Sequence, residues 1–207
     1  MSDGPVFALI LAAGQGRRFG GDKLLAEWHG KPLLHHVLAW VQEACSRGLL
    51  AGGLAVIPAD KPARERLLME SGLEYLLNAR PELGVAESLR LGLGSVAGRH
   101  PDAMGALILQ GDQPSLRHDV LESLLNEWRS GSHPVIRPRY AEEPATPGHP
   151  VLLDRSIWPR VDELRGDAGF APLLQTCPEL VKNVDVSGTN PDINTPSDLA
   201  NLESSSR

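Results

Sequence analysis

The segment Leu11-Ala12-Ala13-Gly14-Gln15-Gly16-Arg17-Arg18-Phe19-Gly20-Gly21-Asp22-Lys23 directly follows Val6–Leu11, an unbroken apolar run that reads as a buried strand. A strand emptying into a glycine-rich, cationic loop strongly limits what the chain can fold into. Glycine tolerates positive φ and lets backbone N–H groups approach an anion closely. Arg17, Arg18 and Lys23 add charge that neutral amides cannot supply. The segment therefore predicts a phosphate-binding loop at the carboxyl end of a strand. It is neither of the two common glycine loops. Gly14, Gly16 and Gly20 are spaced one residue too far apart for the dinucleotide fingerprint, and Asp22 stands where a Walker loop starting at Gly16 requires Lys.

Downstream, apolar strand-like runs alternate with helical patterns, the order expected of an α/β protein with a mostly parallel central sheet covered on both faces. The strands expected are Val6–Leu11, Gly53–Ile57, Glu74–Leu77, Ala106–Gln110, Pro134–Arg137 and Leu180–Val184. Helical spacing predicts helices over Lys31–Ala44, with Pro32 in its first turn, Asp60–Glu70, Val85–Val96 and Asp119–Trp128. No repeat or linker divides the chain, so one domain is expected over residues 5–203, with a tail at 204–207.

Composition removes several function classes. Twenty basic against 26 acidic residues leave a formal net charge of −6, and only 4% of residues are aromatic, so a nucleic-acid surface is not expected. Cys45 and Cys177 are far apart and outside any CxxC pair, which suggests neither a disulfide framework nor a zinc site. No run is long and apolar enough for a membrane span, and Met1-Ser2-Asp3-Gly4-Pro5 lacks the basic start of a signal peptide. The expectation is a cytoplasmic protein without a membrane partner.

Two further regions carry chemistry. Ala106–Gln110 ends in Gly111-Asp112-Gln113-Pro114, placing Asp112 at the carboxyl edge of the sheet, where open α/β folds bind ligands. An Asp there can hold a divalent cation, or can simply cap the next helix. Arg139–Pro150 holds Pro144, Pro147, Gly148, His149 and Pro150, a stiff loop that reads either as a binding loop or as a solvent-exposed connection. Near the end, Thr195, Pro196 and Asp198 suit the N-cap, first and third positions of a last helix.

Leu-Ala-Ala-Gly-x-Gly-x-Arg-Phe-Gly-x-x-Lys resembles the opening motif of the MobA-like nucleotidyltransferases, in particular the molybdenum cofactor cytidylyltransferases. Further segments match in order: Asn78 with Gly84-Val85-Ala86-Glu87-Ser88-Leu89-Arg90, Gly111-Asp112-Gln113-Pro114, Gly148-His149-Pro150-Val151, Gly166-Asp167-Ala168-Gly169, and Asp192-Ile193-Asn194-Thr195-Pro196-Ser197-Asp198-Leu199. The resemblance implies a three-layer, Rossmann-like nucleotidyltransferase fold. It implies nucleotide binding by Leu11, Ala12, Ala13, Gly14, Gly16, Arg18, Lys23, Asn78, Gly84, Ser88 and Gly111, with Arg18, Lys23 and Asp112 catalytic. It implies Mg2+ on Asp112 and Asp192, with Asn194 as the other candidate ligand, and acceptor binding by Gln113, Gly148, His149, Gly166 and Asp167. Phe170 and Ala171 stand where the family has Ala-Arg, and Gln113 where Met is commoner. A structural reading of Gly84 and Gly166, as turns before helices, stands beside the functional one.

The implied reaction moves CMP from CTP to the phosphate of Mo-molybdopterin and releases pyrophosphate. A molybdoenzyme or its maturation chaperone would receive the product. Ala13 favours the CTP branch, since the GTP branch usually has Gly there. The alternatives are a guanylyltransferase or another NTP transferase of the same fold, an NAD(P)H-dependent oxidoreductase of the same family, and a non-catalytic nucleotide-binding module.

Overall fold

The computed structural model describes residues 3–14 and 19–205. In chain order its strands are β1 (Val6–Leu11), β2 (Glu27–Trp28), β3 (Lys31–Pro32), β4 (Gly52–Pro58), β5 (Glu74–Asn78), β6 (Gly105–Gln110), β7 (Val135–Tyr140), β8 (Val151–Asp154) and β9 (Val181–Val186). The α-helices are α1 (Leu33–Ser46), α2 (Pro62–Ser71), α3 (Val85–Arg99), α4 (His118–Arg129), α5 (Ala171–Thr176) and α6 (Pro196–Ser205), with a 3₁₀ stretch over Arg155–Glu163. β2 and β3 form a small hairpin, and the other strands form one sheet in the order β5-β4-β1-β6-β8-β7-β9. β1 pairs in parallel with β4 and β6, as do β4 with β5 and β7 with β9. β8 runs antiparallel to both neighbours.

The central strands are apolar on both faces because both are covered. In β1, Val6, Ala8 and Ile10 face a core shared with α1 and α4. Phe7, Leu9 and Leu11 face a second core built with α3, α5 and the 3₁₀ stretch. Side chains alternating across a strand thus separate the three layers. Gly92 of α3 lets that helix close on the sheet: a Cβ there would lie 2.3 Å from Cδ1 of Leu9.

From β1 the chain winds outward through β4 to β5, then α3 returns it to β6 on the other side of β1. The topology therefore reverses between β1 and β6, and a crevice opens beyond their carboxyl ends. Leu11–Gly14 and Gln110–Asp112 lie there, joined by the amide of Gly111 donating to the carbonyl of Leu11 at 3.0 Å.

Four expectations are corrected. β8 was not anticipated: Val151–Asp154 is too short to show periodicity, and it is a strand because β6 and β7 each offer it an edge. Arg139 and Tyr140 lie in β7 rather than in the loop read as Arg139–Pro150. Pro32 belongs to the hairpin, and α1 begins one residue later. The last helix extends to Ser205, into the stretch read as a tail.

Candidate active site

Lys23 opens a single 3₁₀ turn, Lys23–Leu25, on the far side of the glycine loop. Its ammonium forms an ion pair with the carboxylate of Asp112, and it donates to Oδ1 of Asn194 at 3.1 Å. Asp112 lies two residues past the end of β6, after Gly111, so its position is set by a largely buried strand of the sheet. Its backbone carbonyl also accepts from the amide of Ile193 at 3.1 Å, which ties the closing segment to the strand edge.

Asp192 is brought beside Asp112 by that tie. Burial raises the pKa of its carboxyl, and the charge of Asp112 raises it further. Gln113 donates to Oδ1 of Asp192 at 2.6 Å and to the carbonyl of Asn190 at 3.3 Å. The Oε1 of Gln113 and the Oδ1 of Asn190 are buried without a partner. The residues are thus acidic, amide and ammonium groups gathered in one place, an arrangement that suits oxygen-bound cations and phosphates.

Of these groups Lys23 and Asp112 line a cleft of about 410 Å3, together with Leu11, Ala13, Gly14, Gly84, Ser88 and others, while Asp192, Asn194 and Gln113 stand behind them. The sequence expectations separate here. Leu11, Ala13, Gly14, Lys23, Gly84, Ser88 and Asp112 line the cleft together with Asp167. Ala12 does not: its methyl is buried in the core, its amide donates to Val56 and its carbonyl accepts from Arg64. Gly111 is packed between Leu11, Ala12 and Leu24. Asn78 is fully buried, donating to Oγ of Ser88 at 3.2 Å and accepting from the amide of Arg80 at 2.8 Å, so it acts on the cleft through Ser88. Gly16 and Arg18 lie outside the described residues.

Gly148 and His149 line a second cavity of about 140 Å3 that adjoins the first and shares Leu11, Val85, Gln110 and Asp167 with it. Gly148 passes so close to β7 that a Cβ would lie 2.3 Å from the carbonyl oxygen of Pro138. Burial lowers the pKa of His149, favouring the neutral ring, although Asp192 and Asp112 act the other way. Gly166 is placed behind the cleft, where its carbonyl accepts from the amide of Ala86. Asp167 accepts from the amide of Val85 at 3.3 Å and so holds the start of α3. Gly84 has φ +85° and no room for a Cβ against Gly166, which gives both glycines a structural use.

Arg64 of α2 is the site residue that sequence reasoning missed. It is completely buried, and its guanidinium spans the glycine loop. On one side it donates to the carbonyls of Ala12 at 2.6 Å and Gly14 at 3.0 Å. On the other it meets both carboxylate oxygens of Asp22 at 2.7–3.0 Å. Asp22 also accepts from the amide of Leu24, capping the turn that carries Lys23. Only an arginine offers a planar fork able to hold these acceptors at once.

A glycine loop after the first strand, an acid after β6 and a topology reversal between them define an α/β fold with the site of a nucleotidyltransferase. The MobA-like NTP transferase domain family matches residues 8–183, and the chain belongs to that family. A probable molybdenum cofactor guanylyltransferase of Deinococcus radiodurans is 33% identical over 205 residues, covering 96% of this chain and 94% of the relative. The bifunctional protein GlmU of Rhizorhabdus wittichii is 34% identical over 137 residues, 65% of this chain, which spans only 28% of that longer relative. Among solved structures, Rv0371c of Mycobacterium tuberculosis superposes with a TM-score of 0.80 at 23% identity, covering 99% of this chain and all of the neighbour. A homologue of Rv0371c from Mycobacterium sp. strain JC1 gives 0.78 at 27% identity, covering 97% of this chain and 96% of the neighbour. Among the described residues no helix is long and apolar enough to cross a membrane.

Proposed function

We propose that this nucleotidyltransferase moves CMP from CTP to the phosphate of a molybdopterin-type cofactor and releases pyrophosphate. The observation that carries the reading is the ion pair of Lys23 with Asp112 on the lining of a cleft beside Gly14, with Asn194 accepting from Lys23 and Asp192 next to Asp112. The full-length relative from Deinococcus radiodurans, named for nucleotidyl transfer to the molybdenum cofactor, supports the acceptor.

A phosphate monoester is already nucleophilic at neutral pH, so the chain has to position groups and neutralise charge rather than activate a hydroxyl. An oxygen of the acceptor phosphate bonds to the α-phosphorus of the nucleotide as the bond to pyrophosphate breaks. Lys23 offsets the charge gathering on the departing oxygens. Asp112 holds Lys23 ready before the nucleotide arrives. Ser88, which lines the cleft and accepts from Asn78, would contact the nucleoside.

Asp112 and Asp192, with Asn194 alongside, offer the hard oxygen donors that Mg2+ prefers. Burial first, and the charge of Asp112 second, raise the pKa of Asp192, so a cation bound between the two acids would favour its ionised form. Bound there, Mg2+ would supply charge neutralisation at the phosphates. Among the described residues no three His, Cys, Asp or Glu side chains cluster as metal ligands, so waters and phosphate oxygens would complete the shell. The cytoplasm, and delivery of the product to a molybdoenzyme or its chaperone, complete the reading.

CTP rests on Ala13, one of the residues that line the cleft. The guanylyltransferase names of relatives such as those from Deinococcus radiodurans and Pyrococcus horikoshii favour a second reading, GMP transfer by the same chemistry. Steady-state kcat/KM for CTP and GTP with one acceptor separates the two. A higher value for CTP supports the cytidylyl assignment, and a higher value for GTP replaces it.

A further inference from the structure

β7 carries two arginines, Arg137 and Arg139, at alternate positions on one face, each opposite a different residue of β9. Arg139 is in register with Asp185, and Arg137 with Asn183. Arg139 meets a carboxylate, with Nε to Oδ1 at 2.5 Å and Nη2 to Oδ2 at 2.9 Å. Arg137 donates only Nε, to the amide oxygen of Asn183 at 2.8 Å, and among the described residues it has no ion pair. The guanidinium stays charged at any ordinary pH, and burial strips part of its water, pulling its pKa down with no acid to restore it. A half-buried cation without a counter-ion is costly unless an anion comes to it.

Arg137 lines the second cavity, beside His149. The Nδ1 of His149 is buried and has no partner. The one acid in the lining, Asp167, is already accepting from the amide of Val85. Apart from Gln110 the remaining side chains of the wall are apolar, chiefly Leu89, Ile108, Leu153, Phe170 and Leu174. The cavity shares Leu11, Val85, Gln110 and Asp167 with the cleft proposed for the nucleotide, so an anion at Arg137 would lie in a space that adjoins that cleft.

We propose that Arg137, with His149 beside it, binds the phosphate of the acceptor in this cavity, and that Asn183 keeps the guanidinium available by offering it an amide instead of a carboxylate. The inference rests on the reading of the chain as a transferase to a phosphate-bearing acceptor with an apolar body. The test uses inorganic phosphate as probe, titrated calorimetrically into protein saturated with Mg2+ and a non-hydrolysable CTP analogue. Wild type is expected to bind one phosphate. Both Arg137→Gln and Asn183→Asp should weaken that binding about tenfold or more, while Arg137→Lys keeps part of it. Asn183→Asp nearly preserves size and recreates the Arg139–Asp185 pairing, so its loss would report the captured guanidinium rather than damage to the fold. No phosphate uptake by wild type, or binding within twofold of wild type in both variants, overturns the proposal. In turnover, Arg137→Gln should raise KM for the acceptor about tenfold with KM for CTP within twofold, and the reverse pattern also overturns it. Phosphate binding as expected, with no transfer to molybdopterin, would sustain the anion site and remove only the proposed acceptor.

Discussion

Asp112 occupies the one position where the β6 strand end, the ammonium of Lys23 and the closing segment meet. Its carboxylate serves two functions in the proposed cycle: it restrains Lys23 before nucleotide binds and supplies an oxygen for Mg2+ afterwards. Asp112→Asn should lower turnover by at least about a hundredfold, the range seen when a preorganised electrostatic group is lost. Activity within threefold of wild type at saturating Mg2+ would remove the assignment. Lys23→Ala should cut kcat/KM for CTP by two to three orders of magnitude, roughly the loss of one transition-state donor. Unchanged kinetics would leave Lys23 as no more than the counter-charge of Asp112. Asp198 behaves differently although it lies in the same acidic segment. Its Oδ2 accepts from the amides of Asn194 and Thr195, and these bonds lower its pKa, as expected of a carboxylate that caps a helix start. This cap was legible in the sequence, because Thr-Pro-x-Asp carries its own local mechanism. The partners of Gln113 and Asn78 were not, since they come from residues 79 and 10 positions away.

At the scale of elements, the glycine loop is held from outside by α2. Arg64 reads in sequence as one more surface charge, in a helix whose other charged residues are largely exposed, and nothing local marks it as buried. The only hint was Asp22, an acid inside an otherwise cationic loop. Arg64→Met should therefore destabilise the fold by about 3–5 kcal/mol, because Asp22 would keep a poorly solvated charge without its partner. It should also raise KM for CTP, because the carbonyls of Ala12 and Gly14 lose their tether. Adding Asp22→Asn to Arg64→Met should recover part of the stability but not the KM, which chemical denaturation and steady-state kinetics would show. Full recovery of KM in the double variant would mean that the clamp does not order the loop. β8 escaped the sequence for a similar reason: four residues show no usable period, and its two neighbours across the sheet decide its conformation.

For the whole molecule, three layers meet at a sheet whose reversal between β1 and β6 locates the cleft. The alternation of strands and helices made that architecture legible, because apolar runs and 3.6-residue patterns are set by burial on two faces. How tightly the layers close was not legible, since close approaches depend on which glycine faces which side chain. α3 contains both kinds. Gly92→Val should destabilise the protein by about 1–3 kcal/mol, for its side chain would meet Leu9 of β1. Gly94→Ala faces open space and should stabilise by about 0.5–1 kcal/mol through helix propensity. Thermal melts of the two variants moving in the same direction would contradict the packing of α3 on the sheet. The central claim, that the cleft joins a nucleotide to a phosphate-bearing molybdenum cofactor, is tested most directly by the mass of the product. With CTP, Mg2+ and purified molybdenum cofactor, the account predicts a cofactor heavier by one CMP unit, formed together with an equal amount of pyrophosphate. CTP returned unchanged, or hydrolysed while the cofactor keeps its mass, would contradict it.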